Sequence, residues 1–340
     1  MMRREPAAIA VTMGEPAGIS GEITIKAWLA RGDLPAFFVI GDPAWLSAVA
    51  HRFGLSLRLA LIDHPEEAAN AFPLALPVLS ELLAAPECLG EPRNENAPAV
   101  IRAIDRAVEN AMTGRASAVV TNPIHKKTLY DAGFHAPGHT EYLAELSGPD
   151  VRPVMMLCAP GLRTVPVTIH RPLAEAVATL RAEEIVRCGL TLHHSLQRDF
   201  SIDRPRIAVA GLNPHAGEGG SLGTEERSII GPAIDTLRRR GVLIEGPMAA
   251  DAMFHPGARR GYDAALCMYH DQALIPVKTL AFSSAVNTTL GLPFVRTSPD
   301  HGAALDIATR GQADPSSLIA AIRLASAMAA SRRDAGDQAA

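Results

Sequence analysis

Short apolar runs alternate along this chain with stretches whose apolar residues recur at helical spacing. Ile9–Met13, Phe37–Ile40, Leu57–Ile62, Ala118–Thr121, Thr164–Ile169, Ile207–Leu212 and Ala264–Met268 have the length and continuity of buried strands. Between them Gly21–Ala30, Pro43–Phe53, Arg181–Leu196, Glu225–Arg240 and Pro315–Ala330 read as helices. The clearest helix is Ala99–Met112, where Val100, Ile101, Ile104, Val108, Ala111 and Met112 form one apolar stripe before Gly114 ends it. This alternation predicts an α/β protein. Residues from about Pro65 to Pro98 are proline-rich and lack periodicity apart from Val78–Ala84, which predicts an irregular excursion with an antiparallel strand or two. The polar tail Ser331–Ala340 is expected to fray. No repeat, low-complexity tract or linker interrupts the pattern. Two interleaved α/β domains are therefore expected, with the chain leaving the first and returning to it.

Composition narrows the function classes. A length of 340 residues is a prior for about two domains, and 48% hydrophobic against 20% charged residues can bury a substantial core. The net charge of -4 argues against a nucleic-acid partner, which needs a basic stripe to neutralise phosphates. No apolar run is long enough to span a membrane. The charged start Met1-Met2-Arg3-Arg4-Glu5-Pro6 leads straight into a strand with no apolar leader behind it, so a cytoplasmic protein is expected. Cys88, Cys158, Cys188 and Cys267 lie far apart, form no CxxC pair and read as free thiols. Cys158 and Cys267 fall in apolar strands, where packing is the simpler role.

Three histidines each close a motif behind a predicted strand: Val167-Thr168-Ile169-His170, Gly211-Leu212-Asn213-Pro214-His215 and Met268-Tyr269-His270-Asp271-Gln272. Ligands of open α/β sheets bind beyond the carboxyl ends of the strands, so three imidazoles delivered there could converge on one metal. Three imidazole ligands suit zinc, cobalt, nickel or iron and leave positions open for a substrate. Any one histidine alone is more often a hydrogen-bonded loop residue. The glycine-rich segment Gly211–Glu226 matches neither the GxGxxG fingerprint nor the P-loop, yet it lets backbone approach a ligand and opens a helix. Thr121-Asn122-Pro123-Ile124-His125-Lys126-Lys127 follows a strand and is either a helix cap with solvated lysines or a ligand contact. Gly138-His139-Thr140-Glu141 suits an anion at a helix start, or else a capping box with Thr140 as N-cap. Lys278, Asn287 and Arg296 lie among apolar residues, which favours burial with an anionic partner. Asp251, Asp271 and Asp300 could orient the histidines, or cap helices.

Taken in order, Met13-Gly14-Glu15-Pro16-Ala17-Gly18, Thr121–Lys126, Gly138–Glu141, Asn213–Glu218, Tyr269–Gln272 and Asp300-His301-Gly302 resemble, nearly end to end, the 4-hydroxythreonine-4-phosphate dehydrogenase family of vitamin B6 biosynthesis. The resemblance implies an isocitrate/isopropylmalate dehydrogenase-like fold. It places residues 1–135 plus 305–340 in the first domain and 136–304 in the second, with the active site in the cleft between them. It further implies a homodimer whose active site lies at the subunit boundary, NAD or NADP as cofactor, and a divalent metal such as zinc, magnesium or cobalt. His170, His215 and His270 would be the metal ligands, His270 coming from the neighbouring subunit. His139, Thr140, Lys278, Asn287 and Arg296 match substrate contacts. Asp300, His301, Gly302 and Ala303 match the adenosine-side cofactor loop, which would explain the missing GxGxxG. Lys278 is the first candidate for proton transfer, with Asp251 behind it.

The implied reaction is metal-dependent oxidation of 4-phosphohydroxy-L-threonine. Its β-keto product would lose carbon dioxide to give 3-amino-1-hydroxyacetone 1-phosphate, on the way to pyridoxal phosphate. Two departures stand out: the usual Gly-Asp-Pro-Ala-Gly-Ile-Gly-Pro-Glu is Gly14–Glu22 with Glu15, Ser20 and Gly21, and the usual threonine after His-Gly is Ala303. A branch acting on D-threonate or D-erythronate 4-phosphate would share the ligands. From other classes, a phosphotransacylase-like enzyme needs neither the histidines nor a dinucleotide, and a purely structural metal protein would need a fourth ligand.

Overall fold

The fold is taken from a computed structural model that describes residues 6–339, with side chains to residue 335. Met1–Glu5 of the charged start, and Ala340, lie outside the described residues. In chain order the strands are β1 (Ile9–Thr12), β2 (Phe37–Gly41), β3 (Leu59–Ile62), β4 (Leu76–Ser80), β5 (Val119–Val120) and β6 (Val154–Ala159). They continue with β7 (Leu162–Pro166), β8 (Arg206–Ala210), β9 (Leu243–Met248), β10 (Ala264–Cys267), β11 (Val286–Leu290) and β12 (Arg296–Pro299). The α/β class expected from the alternation is the class observed.

The chain forms two compact units, Met1–Arg152 with Leu292–Ala330, and Pro153–Gly291 with Ser331–Ala340. Residues 136–152 and 292–304, expected with the second domain, group with the first unit, and Ser331–Ala340 groups with the second. His139, Thr140, Arg296 and Asp300–Ala303 are thus carried by the first unit. His170, His215, Asp251, His270, Lys278 and Asn287 are carried by the second.

In the first unit the strand order is β3-β4-β2-β1-β5-β12, and every pair is parallel. A parallel sheet is covered on both faces, and this is why β1 and β2 are apolar and buried at every position. Phe37, Phe38, Ile23, Ile40, Leu46, Leu76 and Ile104 form the fully buried centre. The helix Ala97–Met112 takes a proline in its first turn and buries Val100, Ala103, Ile104, Ala107 and Val108. Met112, expected in that stripe, is 50% exposed because it lies beyond the last turn that faces the sheet. β4 is parallel to both β2 and β3, not antiparallel as expected. The segment Pro65–Ala71 supplies the short helical crossover that a parallel return requires.

In the second unit the order is β11-β6-β7-β10-β8-β9. β7, β10, β8 and β9 are parallel, while β6 is antiparallel to both neighbours. Met155, Leu157, Leu162, Ala208, Cys267 and Val277 build its core. All four cysteines are free. Burial pushes Cys158 up to about 12 and raises Cys267 as well, as expected for the two thiols in apolar strands, and Cys188 is pushed up to about 11. The predicted helix Glu225–Arg240 splits into a π-turn, Glu226–Ile230, and the helix Gly231–Arg239. Pro232 cannot donate to the regular helical ladder, so the register changes there. No helix among the described residues is long and apolar enough to cross a membrane.

The C-terminal helix does not end at Ala330 but runs Ser316–Ala339. What extends it is an ion pair. Arg332 Nε donates to Asp199 Oδ1 at 2.7 Å, and the fully buried Asp199 also accepts from Arg198 Nε at 2.6 Å. Arg332→Ala should cost roughly 1.5–3 kcal/mol, the scale of a hydrogen bond to a charged group. A shift of that size in urea unfolding, with faster amide exchange in 331–339, is the expected result.

Candidate functional site

Parallel pairing fixes where the histidines go. β7, β10 and β8 are neighbours that run the same way, so the loops leaving their carboxyl ends emerge at one edge of the second unit. Those loops carry His170, His270 and His215. Side chains then tie the loops together. Thr168 Oγ1 donates to Met268 O at 2.8 Å, joining the first two. The buried Gln272 accepts from Met268 N at 2.7 Å and donates to Gly211 O at 2.7 Å, joining the second to the third.

The His170 and His270 rings lie 6.0 Å apart between centroids, on a cavity of about 240 Å³ also lined by Thr168, Arg171, Leu173, Ala176, Tyr269 and Asp271. His270 Nδ1 pairs with Asp271 Oδ1 at 2.7 Å, the carboxylate–histidine arrangement that orients a ligand and leaves Nε2 for a metal. His215 is exposed at the start of a left-handed turn. From His215 to Gly219 every φ is positive (52°, 51°, 76°, 43° and 65°), and His170 is also at 47°. For a non-glycine residue this conformation costs about 1–2 kcal/mol and persists only where surroundings impose it, most often at functional sites. Among the described residues, however, no group of three or more His, Cys, Asp or Glu side chains could hold a metal ion. One chain therefore brings two imidazoles together and presents the third apart from them.

The first unit presents different chemistry. Its motif loops leave the carboxyl ends of three neighbouring strands, β1, β5 and β12. Backbone bonds lock them: Glu15 N to Pro123 O at 2.9 Å and Ile19 N to Ala303 O at 3.0 Å. Asn122 Nδ2 donates to Thr12 O at 3.0 Å and to Thr24 Oγ1 at 2.9 Å, so it braces the strand end and caps nothing. Arg296 opens β12, is only 3% exposed and donates from Nη2 to Thr121 Oγ1 at 2.7 Å. Burial pulls its pKa down to about 10, against the pull of Glu141, so the guanidinium stays charged at neutral pH.

The helix His139–Ser147 starts beside it. Gly138, not Thr140, occupies the N-cap position. A Cβ there would lie 3.3 Å from Glu141 Oε2 and 3.5 Å from Lys126 Nζ, so both side chains close over the cap position. His139 is held well below the usual histidine range by burial first, then by the charges of Arg296 and Lys126. Its Nε2 is buried with no hydrogen-bond partner. A neutral imidazole with an unsatisfied nitrogen, beside a buried guanidinium and an ammonium, fits an anionic oxygen.

The family described as "Pyridoxal phosphate biosynthetic protein PdxA" matches residues 33–325. The chain belongs to this family. It is 53% identical over 337 residues to the 4-hydroxythreonine-4-phosphate dehydrogenase of Bradyrhizobium diazoefficiens, covering 95% of this chain and 97% of that one. It is 52% identical over 330 residues to the protein of the same name from Caulobacter vibrioides, covering 95% and 98%. Among solved structures, 4-hydroxythreonine-4-phosphate dehydrogenase from Klebsiella pneumoniae superposes with a TM-score of 0.86 at 38% identity, over 95% of this chain and 99% of that one.

The remaining expected residues are placed as follows. Lys278 is half-buried on the helix His270–Ala281, with Nζ 5.7 Å from the Phe282 ring centroid. Asn287 lies on β11 with a buried Oδ1 that has no partner. Asp251 is exposed in a 3-10 turn after β9. Asp300 N is held by Ser317 Oγ at 3.1 Å, and His301 Nδ1 lies 3.0 Å from Gly302 O. Thr140 is half-buried in the first turn of its helix. The sequence marked Lys126 only as a solvated lysine or an unspecified contact, and it passed over Glu141, Glu226 and Gln272 as partners. The spacing of Gln272 two residues after His270 was the available signal.

Because the folded state depresses His139, its neutral form is favoured by folding. Its contribution to stability is present above the ordinary value of 6.5 and is lost as pH falls below it. Glu15, pushed up to about 7 by burial, works in the opposite sense, so the informative quantity is the difference from His139→Asn. Urea unfolding between pH 5 and 8 should show the wild type losing stability relative to the variant below about pH 6.5. Parallel curves would mean that the ring is not held neutral.

Proposed function

We propose that this chain is a 4-hydroxythreonine-4-phosphate dehydrogenase, oxidising 4-phosphohydroxy-L-threonine with NAD or NADP and a divalent metal such as zinc, magnesium or cobalt. The product is a β-keto acid that loses carbon dioxide to give 3-amino-1-hydroxyacetone 1-phosphate, in pyridoxal phosphate synthesis. The carrying observation is the near full-length match, at about half identity, to relatives bearing that name. The histidine loops at one sheet edge support the metal, and the Arg296–His139–Lys126 cluster supports a phosphorylated substrate. We take the protein to be a cytoplasmic homodimer with a shared active site.

When bound, the metal supplies Lewis-acid polarisation of a substrate oxygen and the nicotinamide supplies a hydride acceptor. His170 and His215 of one subunit and His270 of its partner would hold the metal. No three-residue metal group forms among the described residues of one chain, which supports a site completed by a second copy; the closeness of His170 and His270 within one chain is the observation against this division of the ligands. Arg296, His139 and Thr140 bind the phosphate or carboxylate, and the unsatisfied Asn287 Oδ1 accepts from a substrate donor. Lys278 is the first candidate to move the proton released from the substrate hydroxyl, with Asp251 as the second. The backbone of Asp300, His301, Gly302 and Ala303 holds the adenosine side of the cofactor.

The direct test is nicotinamide reduction by purified protein with divalent metal and 4-phosphohydroxy-L-threonine, with D-threonate and D-erythronate 4-phosphates in parallel. Metal-dependent turnover of the first substrate, abolished in His215→Ala, is expected. Turnover of the sugar acids alone would replace the substrate. Acyl phosphate turnover without metal would replace the class.

Mixing inactive His170→Ala and His270→Ala subunits tests the sharing. In a heterodimer one site keeps His170 from one chain and His270 from the other, so partial activity is expected. Heterodimers that form but stay inactive would place both ligands in one chain, where the rings are already 6.0 Å apart.

A further inference from the structure

The loop that carries His215 cannot hold its shape by its own conformational preference. Five consecutive residues, His215–Gly219, sit at positive φ, and three of them are not glycine. The side chain that faces this loop belongs to Glu226, which is 4% exposed at the start of the π-turn Glu226–Ile230. Glu226 Oε1 accepts from Leu212 N at 2.8 Å and from Asn213 N at 2.7 Å, where the chain leaves β8. Oε2 accepts from Asn213 Nδ2 at 3.0 Å. The same carboxylate lies under the middle of the loop, since a Cβ on Gly217 would fall 2.6 Å from Oε2. One carboxylate therefore bonds the entry to the loop and packs against its left-handed crest, and His215 lies between the two.

We infer that Glu226 is a positioning residue for His215, setting the imidazole's approach to the metal through the loop backbone without touching the metal. The inference rests on the proposed role of His215 as a ligand. Backbone bonds within the loop, Ala216 N to Asn213 O and Leu222 N to Gly217 O, both at 3.1 Å, close the turn on itself, whereas Glu226 ties its entry to the following helix. Glu225 reaches only the Asn213 side chain, at 2.8 Å, and its own neighbour Thr224 N, at 3.0 Å. Gln272 secures Gly211 O, which precedes the left-handed run. The π-turn itself fits the inference, because such turns displace a side chain from regular helical phase and occur often at functional sites.

The test is Co(II) binding to chelator-stripped full-length protein, followed by calorimetry and by the visible absorption of the bound ion. Three variants are compared: Glu226→Ala, Glu226→Gln and His215→Ala. Glu226→Gln keeps one oxygen for the two backbone donors but turns an NH2 toward Asn213 Nδ2. Both Glu226 variants should bind Co(II) about 10–100-fold more weakly, alanine more so, with an altered absorption spectrum, which is the usual scale for losing an outer support of a metal ligand. Thermal unfolding of the metal-free proteins identifies a variant that has lost its fold; should alanine do so, the glutamine variant decides. Wild-type affinity and spectrum in a folded Glu226 variant would overturn the inference. If His215→Ala also binds as wild type, the ligand role itself fails. If His215→Ala loses the ion while the Glu226 variants keep it, only the positioning role fails.

Discussion

A single buried amide, that of Gln272, bridges the carboxyl ends of β10 and β8 and fixes the edge on which the second unit's chemistry depends. Each of its bonds goes to a backbone group that the parallel ladder leaves unpaired where the strands end. Left unsatisfied at this depth, each group would cost about 1–3 kcal/mol. The bridge answers that demand and in doing so sets the spacing of two histidine loops. Thr168 extends the same logic to β7 through Met268 O. The loops are tied to one another because the strand ends need partners, and the histidines are carried on those ties.

The first unit solves a different problem. Desolvating a guanidinium is expensive, and Arg296 is nearly inaccessible. A neutral hydroxyl, Thr121 Oγ1, offsets part of that cost, and Glu141 supplies negative charge. The result is a cation kept charged beside an imidazole kept neutral. His139 can then donate or accept a hydrogen bond without adding a third full charge beside Arg296 and Lys126.

Much of this was legible in the sequence, for a physical reason. Strands of a parallel sheet are continuous apolar runs, so β1, β2, β7, β8 and β10 stood out, and the residues after them marked the sheet edge. β11 and β12 did not stand out, because Val286–Leu290 and Arg296–Pro299 carry polar residues inward. Thr288, Thr289, Arg296 and Thr297 are buried there, with Thr297 bonded to Ala321 O at 2.8 Å. Asn287 and Arg296 were therefore picked out by their residue type among apolar neighbours, with no strand to place them. Thr140 looked like a helix cap by residue type. The helix instead starts earlier, with Gly138 at the N-cap and the Lys126 and Glu141 side chains closing over it. Glu226 was invisible for a similar reason: a glutamate at a helix start is ordinarily solvated, and only the fold turns this one inward.

The departures from the family's usual first helix have a packing explanation of their own. Gly21 stands where the usual residue is proline, and a Cβ there would come within 2.9 Å of the Trp45 ring. Trp45 is 2% exposed, and its Nε1 donates to Pro16 O at 3.1 Å, so the indole presses on the helix start and holds the preceding turn. Proline would fix the helix entry through its ring; here an indole fixes it from outside, and a glycine makes room. Ala303 fits the same corner, since a Cβ on Gly18 would meet Ala303 O at 2.5 Å and its Cβ at 3.1 Å. The Ile19–Ala303 backbone bond closes the same turn. Gly21 and Ala303 thus both lie around the Gly14–Gly18 turn. The departures leave His139, His170, His215, His270 and Arg296 in place.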